Sequence, residues 1–346
     1  MRSEQNHTVR ITVPATSANL GPGFDAFGLA LEMRDELEFS IPDGNRVEID
    51  ICGEGSDSLP RDESHLVVRA FRKAQEEICG ETTGVVLKAN NRIPQARGLG
   101  SSAEAIVSGV AAALALAGKN IEESSVKDTL FDIAARIEGH PDNVAPAVYG
   151  QMTASWSAPA NPTPLPGQAE SAANAILRDG KPGNHTIVYP VADSINAYVF
   201  IPDYSLSTEE ARKALPEAVS RADALLNVSR AALLPAVMSG IVKDAKEAND
   251  ILMSATVDVL HQDYRRPLMM PSAELVDDMR DASFAAAISG AGPCVLVLHA
   301  GSGQDCGDQD CGETEIKRIA QTHLDSGHWR MERLQIAKDG VRAQLS

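Results

Sequence analysis

The chain has 346 residues, of which 43% are hydrophobic and 4% aromatic, and its formal net charge is −17. This composition is typical of a globular protein and excludes a disordered or fibrous chain, and the length suggests one large or two ordinary domains. A strongly acidic surface repels phosphate backbones, which disfavours nucleic-acid binding. No run approaches the roughly 18–20 apolar residues of a membrane span, and no signal peptide is visible, so we expect a cytoplasmic protein.

The first half of the chain combines short alternating strands with amphipathic helices. The strands are predicted at 8–13, 36–40 and 46–51. Polar breaks between them favour an antiparallel, half-exposed sheet over a parallel one. The helices are predicted at 66–78, 101–117 and 124–137. The second helix is rich in alanine and stops at Gly118, a residue type that commonly ends helices.

The second half begins after a change of composition. Residues 157–185 contain five prolines and several turn-forming residues, which indicates a surface excursion or a crossing between domains. Beyond it we predict a strand at 197–201, a helix at 208–214, a broken helical stretch over 217–260, and apolar strands at 284–288 and 294–299. The order predicts an α+β protein with an N-terminal lobe over 1–160 and a C-terminal lobe over 161–346.

The chain has five scattered cysteines, and only Cys306 and Cys311 lie close together. Their four-residue gap differs from the CxxC spacing of redox and zinc motifs. The polar segment 301–314 that contains them is therefore predicted to be an exposed insertion without a metal site.

A glycine- and serine-rich segment precedes the alanine-rich helix. Gly98 and Gly100 allow a tight turn close to a ligand, and Ser101 and Ser102 start a helix whose free N–H groups and dipole favour anions. A phosphate cradle is the functional hypothesis, and an ordinary helix N-cap is the structural alternative. We expect a side chain at Gly100 to block phosphate binding and leave the fold intact. The whole segment comprises Pro94, Gln95, Ala96, Arg97, Gly98, Leu99, Gly100, Ser101, Ser102, Ala103 and Glu104.

Polar and charged residues elsewhere are candidates for ligand binding, although a surface position is the ordinary interpretation of each arginine. Asn19 and Asp25 offer an amide and a carboxylate in a Gly-Pro-Gly turn, suited to an ammonium and a hydroxyl, although an Asx turn satisfying its own backbone fits equally well. Thr208 and Arg212 are four residues apart and share one helical face. Arg265 adds a second cation. Walker A, GxGxxG, HExxH and GxSxG motifs are absent.

Three ordered segments, Pro14–Gly28, Pro94–Ala103 and Ser289–Cys294, resemble the three motifs of the GHMP kinase family. The first segment and the Glu138-Gly-His-Pro-Asp-Asn143 segment are most similar to the homoserine kinase branch of that family. The resemblance implies a two-lobed GHMP kinase fold, with a ribosomal-protein-S5-like N-terminal domain, a ferredoxin-like C-terminal domain and the active site between them.

The resemblance also implies an activity, namely ATP-dependent phosphorylation of L-homoserine with Mg²⁺, a step toward threonine. Two alternatives stay open. One is another GHMP kinase acting on threonine or a different small alcohol, and the other is a non-catalytic nucleotide-binding regulator on the same fold. A homodimer is a further expectation.

Individual roles follow from the matched positions. The substrate-binding residues implied are Asn19, Asp25, His140, Asn143, Thr208, Arg212 and Arg265. Mg²⁺ is assigned to Ser102 with Glu138, or with Asp132 if the alignment is taken without a gap. The candidates for action at the reacting groups are Asp25, His140, Asp142 and Asn143. Asp25, Asp142 and Asn143 are the candidates for orienting the substrate hydroxyl, and the sequence does not choose among these three.

Two positions depart from the family pattern. Glu104 stands where a small residue is usual, and its carboxylate is expected to point away from the triphosphate. His65 stands where homoserine kinases often have asparagine near the adenine, which leaves the nucleobase contact open.

Overall fold

The computed structural model describes residues 8–158, 182–301 and 311–345, and it contains two sheets with helices packed on them. The first sheet has seven strands. They are β1 (Thr8–Asn19), β2 (Gly23–Ser40), β3 (Val47–Gly53), β4 (Val85–Asn91), β5 (Met152–Ala158), β6 (Gly183–Tyr189) and β11 (Arg342–Leu345). Its helices are α1 (Leu66–Cys79), α2 (Ser101–Leu116), α3 (Ser124–Glu138) and α4 (Val144–Tyr149).

The strand order is β11-β1-β2-β4-β3, with β5 paired to β2 and β6 paired to β5. The prediction of an antiparallel sheet is wrong for one pair, because β3 and β4 run parallel. The reason is α1, which lies between these strands in the chain and provides the crossover that a parallel pair requires. All other pairs in this sheet are antiparallel.

Close packing of α1 on α2 depends on the small residues of α2. Twelve residues of α2 are buried, including a run of alanines, so this helix is covered on nearly all sides. A Cβ added at Gly109 would lie 2.4 Å from the carbonyl oxygen of Val67, so glycine allows the two backbones to approach. This arrangement fixes the N-terminus of α2.

The second sheet has four antiparallel strands in the order β10-β7-β9-β8. The strands are β7 (Ile195–Pro202), β8 (Ala285–Ile288), β9 (Val295–Ala300) and β10 (Trp329–Leu334). Its helices are α5 (Thr208–Lys213), α6 (Arg221–Met238), α7 (Ala245–Ala255), α8 (Gln262–Arg265), α9 (Met270–Asp281), α10 (Cys311–Ile319) and α11 (Gln321–Asp325). This strand order is that of the β-α-β-β-α-β, ferredoxin-like motif.

Strand β7 is buried along its whole length because both faces of the sheet are covered. Val199 and Ile201 contribute to one hydrophobic cluster, and the alternating Tyr198 and Phe200 contribute to another. The apolar sequence of β7 therefore matches a central strand.

The predicted helices and strands are confirmed in kind, and most ends shift by a few residues. The first strand continues to Asn19, and the second, predicted at 36–40, already begins at Gly23. The division at residue 160 stays a prediction. Two segments that follow it, β6 and β11, are hydrogen-bonded into the first sheet. Most of the predicted insertions at 157–185 and 301–314, with Cys306 and the side chain of Cys311, lies outside the described residues. No described helix has the length and apolarity to cross a membrane.

Candidate active site

A cleft of about 340 Å³ lies between the two sheets and is bordered by all three sequence motifs. One part is lined by apolar side chains, namely Leu37, Leu59, Leu66, Val67 and Ala89. Another part is lined by charged and polar side chains, namely Asp25, Glu138, His140, Asp142, Asn143, Thr208, Arg212 and Arg265. The N-terminus of α2 borders the same cavity.

The N-terminus of α2 has the geometry of an anion site. Gly100 is the N-cap residue with φ +69°, and no side chain caps the helix. The N–H groups of the first turn are therefore available to a ligand, and the helix dipole adds positive potential. Gly98 has φ +81°, and a Cβ there would lie 2.2 Å from the Ser289 carbonyl oxygen. Glycine at 98 thus lets the third motif press against this loop.

The three motifs hold one another in place through short polar contacts. The Ser289 hydroxyl lies 2.6 Å from the Gly98 carbonyl oxygen and 2.8 Å from the Ser17 hydroxyl. The Asn19 amide donates to the Gly290 carbonyl oxygen at 2.8 Å, and its oxygen accepts from the Asp25 N–H at 3.1 Å. The Asn19 side chain therefore supports the turn, as in the Asx alternative, although it also borders the cleft.

Not every side chain of segment 94–104 faces the cleft. Leu99 and Ala103 are buried in the two hydrophobic cores, and Pro94 is buried as well. Arg97 donates from Nε to the Pro202 carbonyl oxygen and from Nη2 to that of Asp203, so its guanidinium fastens the loop to the end of β7. The cleft is bordered by Gln95, Ala96, Gly98, Gly100, Ser101, Ser102 and Glu104.

Thr16 was not singled out from the sequence, yet it fixes the centre of the site. Its hydroxyl donates to Asn143 Oδ1 at 2.8 Å, and its N–H donates to the Leu99 carbonyl oxygen. A Cβ at Gly100 would lie only 1.9 Å from Thr16 Oγ1. The expectation that a side chain at Gly100 leaves the fold intact is therefore wrong, because it meets protein atoms before it meets a ligand.

His65 provides an unpartnered polar atom at the apolar end of the cleft. Its Nδ1 accepts from the Val67 N–H at 3.3 Å and so caps α1, while Nε2 is buried without a hydrogen-bond partner among the described residues. Burial, and then the charge of Arg61, lower the pKa of His65. The neutral ring therefore carries its proton on the buried Nε2, in a residue that borders the cleft.

Glu104 is buried in the first turn of α2 at the edge of the cleft. Its Oε1 accepts from the Ser108 hydroxyl at 2.7 Å, and its carboxyl lies against that of Asp35. Burial first, and then the neighbouring Asp35 charge, raise the pKa of Glu104 well above its usual value. A raised pKa favours the neutral form of this carboxyl, which repels a triphosphate less than the ionised form does.

Glu138 and Asp132 were rival candidates for Mg²⁺, and they lie in different surroundings. Glu138 borders the cleft, and its Oε1 accepts from the Ser102 hydroxyl at 2.5 Å. Burial raises the pKa of Glu138 despite this hydrogen bond. Asp132 does not border the cleft and forms an ion pair with Arg136 at 3.1 Å on the surface of α3. The geometry therefore favours Glu138.

The turn after α3 places an imidazole beside a carboxylate at the cleft. His140 Nδ1 lies 2.5 Å from Asp142 Oδ1, which also accepts from the Asn143 N–H at 2.8 Å. Burial lowers the pKa of His140, but the hydrogen bond and charge of Asp142 raise it by more, so the net pKa lies above its usual value. His140 is consequently held toward its cationic form beside the phosphate cradle.

Three charged groups meet where α5 and α8 face the first motif. Arg212 forms two hydrogen bonds to Asp25, at 2.8 and 3.0 Å, and Thr208 borders the cleft one helical turn earlier. Arg265 is only 2% exposed and donates from Nε to the Ala211 carbonyl oxygen at 3.1 Å. Burial, and then the charge of Arg212, lower the pKa of Arg265. The structure thus brings all the predicted substrate residues together.

Two aromatic side chains contact these arginines or each other, and no sequence motif had indicated a role for either of them. The ring of Phe24 lies 5.4 Å from the Arg265 guanidinium and 6.0 Å from that of Arg212. His261 stacks on Phe24 at 5.2 Å, and its Nδ1 lies 3.2 Å from Arg265 Nη1. The four-residue spacing of His261 and Arg265 was the one sign in the sequence that they share a face.

Comparison with known proteins agrees with this geometry. Residues 65–151 match the family model of the GHMP kinases N terminal domain, and residues 210–305 match that of the GHMP kinases C terminal domain. The chain is 43% identical over 291 residues to the homoserine kinase of Streptomyces coelicolor, covering 84% of both chains. The chain belongs to the GHMP kinase family. The resemblance seen in the sequence is thereby confirmed.

A second relative and a solved structure agree with this assignment. The homoserine kinase of Cutibacterium acnes is 43% identical over 297 residues, covering 85% of this chain and 89% of that one. The crystal structure of homoserine kinase from Cytophaga hutchinsonii superposes with a TM-score of 0.74 at 21% identity, over 99% of each chain. The two-lobed α+β fold is confirmed.

Proposed function

We propose that this GHMP kinase is a homoserine kinase, which transfers the terminal phosphoryl group of ATP to the hydroxyl of L-homoserine. One observation carries the proposal. The anion site at the N-terminus of α2 opens into the same cleft as Asp25, Arg212 and Arg265. The anion site suits the phosphates of a nucleotide, and the three charged side chains suit a small zwitterion. The curated relatives that are homoserine kinases support the same assignment.

The substrate end of the cleft offers both charges that an amino acid needs. Arg265 and Arg212 would bind the carboxylate, since a guanidinium presents a planar fork of donors. Asp25 would accept from the ammonium group, and Thr208 adds a hydroxyl on the same side. Mevalonate has a carboxylate and no ammonium group. If it drew Arg212 away to bind its carboxylate, it would offer Asp25 no cation in exchange.

The nucleotide end of the cleft fits ATP. Apolar side chains line the region next to His65, whose buried Nε2–H lacks a partner within the described ranges. A purine offers both a flat apolar face and ring nitrogens that accept hydrogen bonds. We therefore assign His65 to the nucleobase and residues 98–102 to the phosphates.

Phosphoryl transfer depends mainly on positioning and on neutralising the charge of the phosphoryl oxygens. The bond between the β–γ bridging oxygen and the terminal phosphorus breaks, a new bond to the substrate oxygen forms, and the hydroxyl proton is released. His140, held toward its cationic form by Asp142, would stabilise the charge on the phosphoryl group. Asp25, Asp142 and Asn143 stay candidates for orienting the hydroxyl, and a strong base is not required.

Glu138 and Ser102 are proposed to hold Mg²⁺, which would neutralise phosphate charge during transfer. Two protein oxygens suffice, because Mg²⁺ usually takes its other ligands from phosphates and water. The burial that raises the pKa of Glu138 fits this role, because a bound cation favours its ionised form. A cytoplasmic location and a homodimer remain predictions.

ADP formation with different acceptors tests the proposal. Purified protein with ATP and Mg²⁺ should form ADP rapidly with L-homoserine, and far more slowly with L-threonine, with mevalonate or without an acceptor. Preference for another alcohol would favour a different GHMP kinase. Nucleotide binding without turnover for any acceptor would favour a non-catalytic regulator.

A further inference from the structure

We propose that His261 is a positioning residue that holds Arg265 in the orientation needed to bind the substrate carboxylate. The inference rests on the proposed function, because it assumes that Arg265 meets that carboxylate. It adds a residue that lies outside all three motifs and is completely buried.

The two ring nitrogens of His261 have distinct partners, which fixes its tautomer. Nε2 lies 2.9 Å from the Gly21 carbonyl oxygen, which can only accept a hydrogen bond, so Nε2 carries the proton. Nδ1 lies 3.2 Å from Arg265 Nη1, which can only donate. The neutral imidazole therefore accepts from Arg265 and at the same time donates to the first-motif turn.

Arg265 depends on such acceptors because its charge is buried and no carboxylate among the described residues forms an ion pair with it. Its hydrogen-bond partners in the described part of the chain are the carbonyl oxygens of Ala211 and Gly290 and the ring of His261. No hydrogen bond to Nη2 is present among the described residues, and Arg265 borders the cleft. Nε and Nη1 thus anchor the guanidinium, and Nη2 is left for the substrate.

The imidazole is itself held rigidly. Asp258 Oδ2 accepts from the N–H groups of His261 and Gln262 at 3.0 and 2.8 Å, which fixes the start of α8. Asn227 Nδ2 donates to Asp258 Oδ1 at 3.1 Å and to the Pro22 carbonyl oxygen at the same distance. Stacking on Phe24 then sets the plane of the His261 ring. The first-motif turn and Arg265 are therefore positioned by one connected group of side chains.

Two substitutions separate the two functions of the ring. The amide of asparagine reaches the position of Nδ1, so His261→Asn keeps an acceptor for Arg265 and loses the donor to Gly21. The amide of glutamine reaches the position of Nε2, so His261→Gln keeps the donor and loses the acceptor. A hydrogen bond to a charged group contributes roughly 1.5–3 kcal/mol, which corresponds to about tenfold to 150-fold in binding.

Steady-state kinetics with homoserine and ATP varied in turn should therefore distinguish the two variants. We expect His261→Gln to raise the KM for homoserine about tenfold or more, with kcat and the KM for ATP within about twofold of the unmodified protein. His261→Asn should retain a KM close to normal. Equal increases in both variants, or a loss confined to kcat, would contradict the proposal.

Kinetics with a substrate that lacks the carboxylate distinguish positioning of Arg265 from a general structural effect. A general effect would lower the activity toward both substrates alike. The ratio of kcat/KM for homoserine to that for 3-aminopropan-1-ol should fall in His261→Gln, because the carboxylate contact is what the variant weakens. An unchanged ratio would overturn the inference even if His261→Asn does not fold. Arg265→Ala serves as the reference. If Arg265→Ala and Arg212→Ala both leave the KM for homoserine normal, the proposed carboxylate site fails; if Arg265→Ala raises the KM while His261→Gln does not, only the role of His261 fails.

Discussion

The carboxylate of Asp25 and the guanidinium of Arg212 form a two-pronged ion pair, with hydrogen bonds of 2.8 and 3.0 Å. Their side chains are 37% and 39% exposed. An ion pair this accessible to water contributes at most about 1 kcal/mol to stability. A zwitterionic substrate can therefore displace it at small cost, with its ammonium group taking the place of Arg212 and its carboxylate that of Asp25.

This exposure predicts unequal effects for the two arginines. Arg265 is buried, and losing one partner of a shielded charge pair costs about 2–5 kcal/mol, or roughly 30-fold to several thousand-fold in recognition. Arg212→Ala should raise the KM for homoserine less than Arg265→Ala does. Neither should change the KM for ATP comparably, because the phosphate cradle lies elsewhere in the cleft. Kinetics with each substrate varied in turn measure both effects.

Arg266→Ala is a matched control for these variants. It removes a neighbouring arginine that pairs with Asp277 and does not border the cleft. A normal KM for homoserine in both Arg212→Ala and Arg265→Ala would refute the assignment of the carboxylate site, even though membership in the family would stand.

Gly100→Ala is predicted to destabilise the protein as well as to weaken nucleotide binding. The added Cβ meets Thr16 Oγ1 at 1.9 Å, and the residue keeps a left-handed φ of +69°. Gly118→Ala is the control, since its φ is +76° and its Cβ meets nothing within 4 Å. Left-handed strain alone costs about 1–2 kcal/mol, so Gly100→Ala should lose more than Gly118→Ala by urea denaturation.

A second substitution identifies the contact responsible. Thr16→Ala removes the hydroxyl that the new Cβ meets, so its cost should be smaller in the Gly100→Ala background than alone. Additive losses would indicate that the backbone strain, and not the contact with Thr16, determines the effect.

The family and the overall fold could be predicted from the sequence because they depend on short motifs and on apolar periodicity within single segments. The Gly-Leu-Gly-Ser-Ser segment specifies a tight turn and a helix start, and the apolar periodicity of 66–78 specifies α1. The parallel pairing of β3 with β4 was missed because strand direction depends on how the chain crosses between them, and alternation in the residues carries no such information.

Hydrogen-bonded pairs that are far apart in the sequence could not be predicted either. Thr16 and Asn143 are separated by 127 residues, and Asp25 and Arg212 by 187. The family resemblance places Asn143, Asp25 and Arg212 in the site. Nothing in the local sequence indicates that the members of each pair form hydrogen bonds with one another. Glu104 was expected to avoid the triphosphate, but only the fold shows that it does so by burial against Asp35.

His65→Ser tests the nucleobase assignment. Serine is a favoured N-cap residue and should preserve the start of α1, but it cannot present the Nε2–H to the cleft. A neutral hydrogen bond contributes about 0.5–1.5 kcal/mol, so the KM for ATP should rise roughly twofold to tenfold. The KM for homoserine should not change.

His65→Asn serves as the companion variant, since it keeps both a cap and an amide donor at this position. Its KM for ATP should lie between those of the unmodified protein and His65→Ser. Unchanged ATP kinetics in His65→Ser, with an unchanged melting temperature, would remove His65 from the nucleotide site.

The buried carboxyls of Asp35 and Glu104 predict a pH-dependent stability. Burial raises the pKa of Asp35 to about 6, against the lowering effect of hydrogen bonds from the Arg92 and Ile93 N–H groups, and burial also raises the pKa of Glu104 well above its usual value. An acid whose pKa is higher in the folded state binds protons more tightly there. Its contribution is therefore greatest at low pH and is lost as the pH rises through about 6 and above.

Glu104→Gln should remove much of this loss. The amide keeps an acceptor for Ser108 and can donate to Asp35 Oδ2, which has no hydrogen-bond partner among the described residues. Since one pKa unit corresponds to about 1.4 kcal/mol, the variant should gain about 1–3 kcal/mol relative to the unmodified protein between pH 5 and pH 8. Glu209→Gln changes an exposed carboxylate and controls for net charge. Urea denaturation at both pH values measures the difference. A gain equal to that of the control would show that ionisation of this buried pair does not limit the stability of the protein at the higher pH.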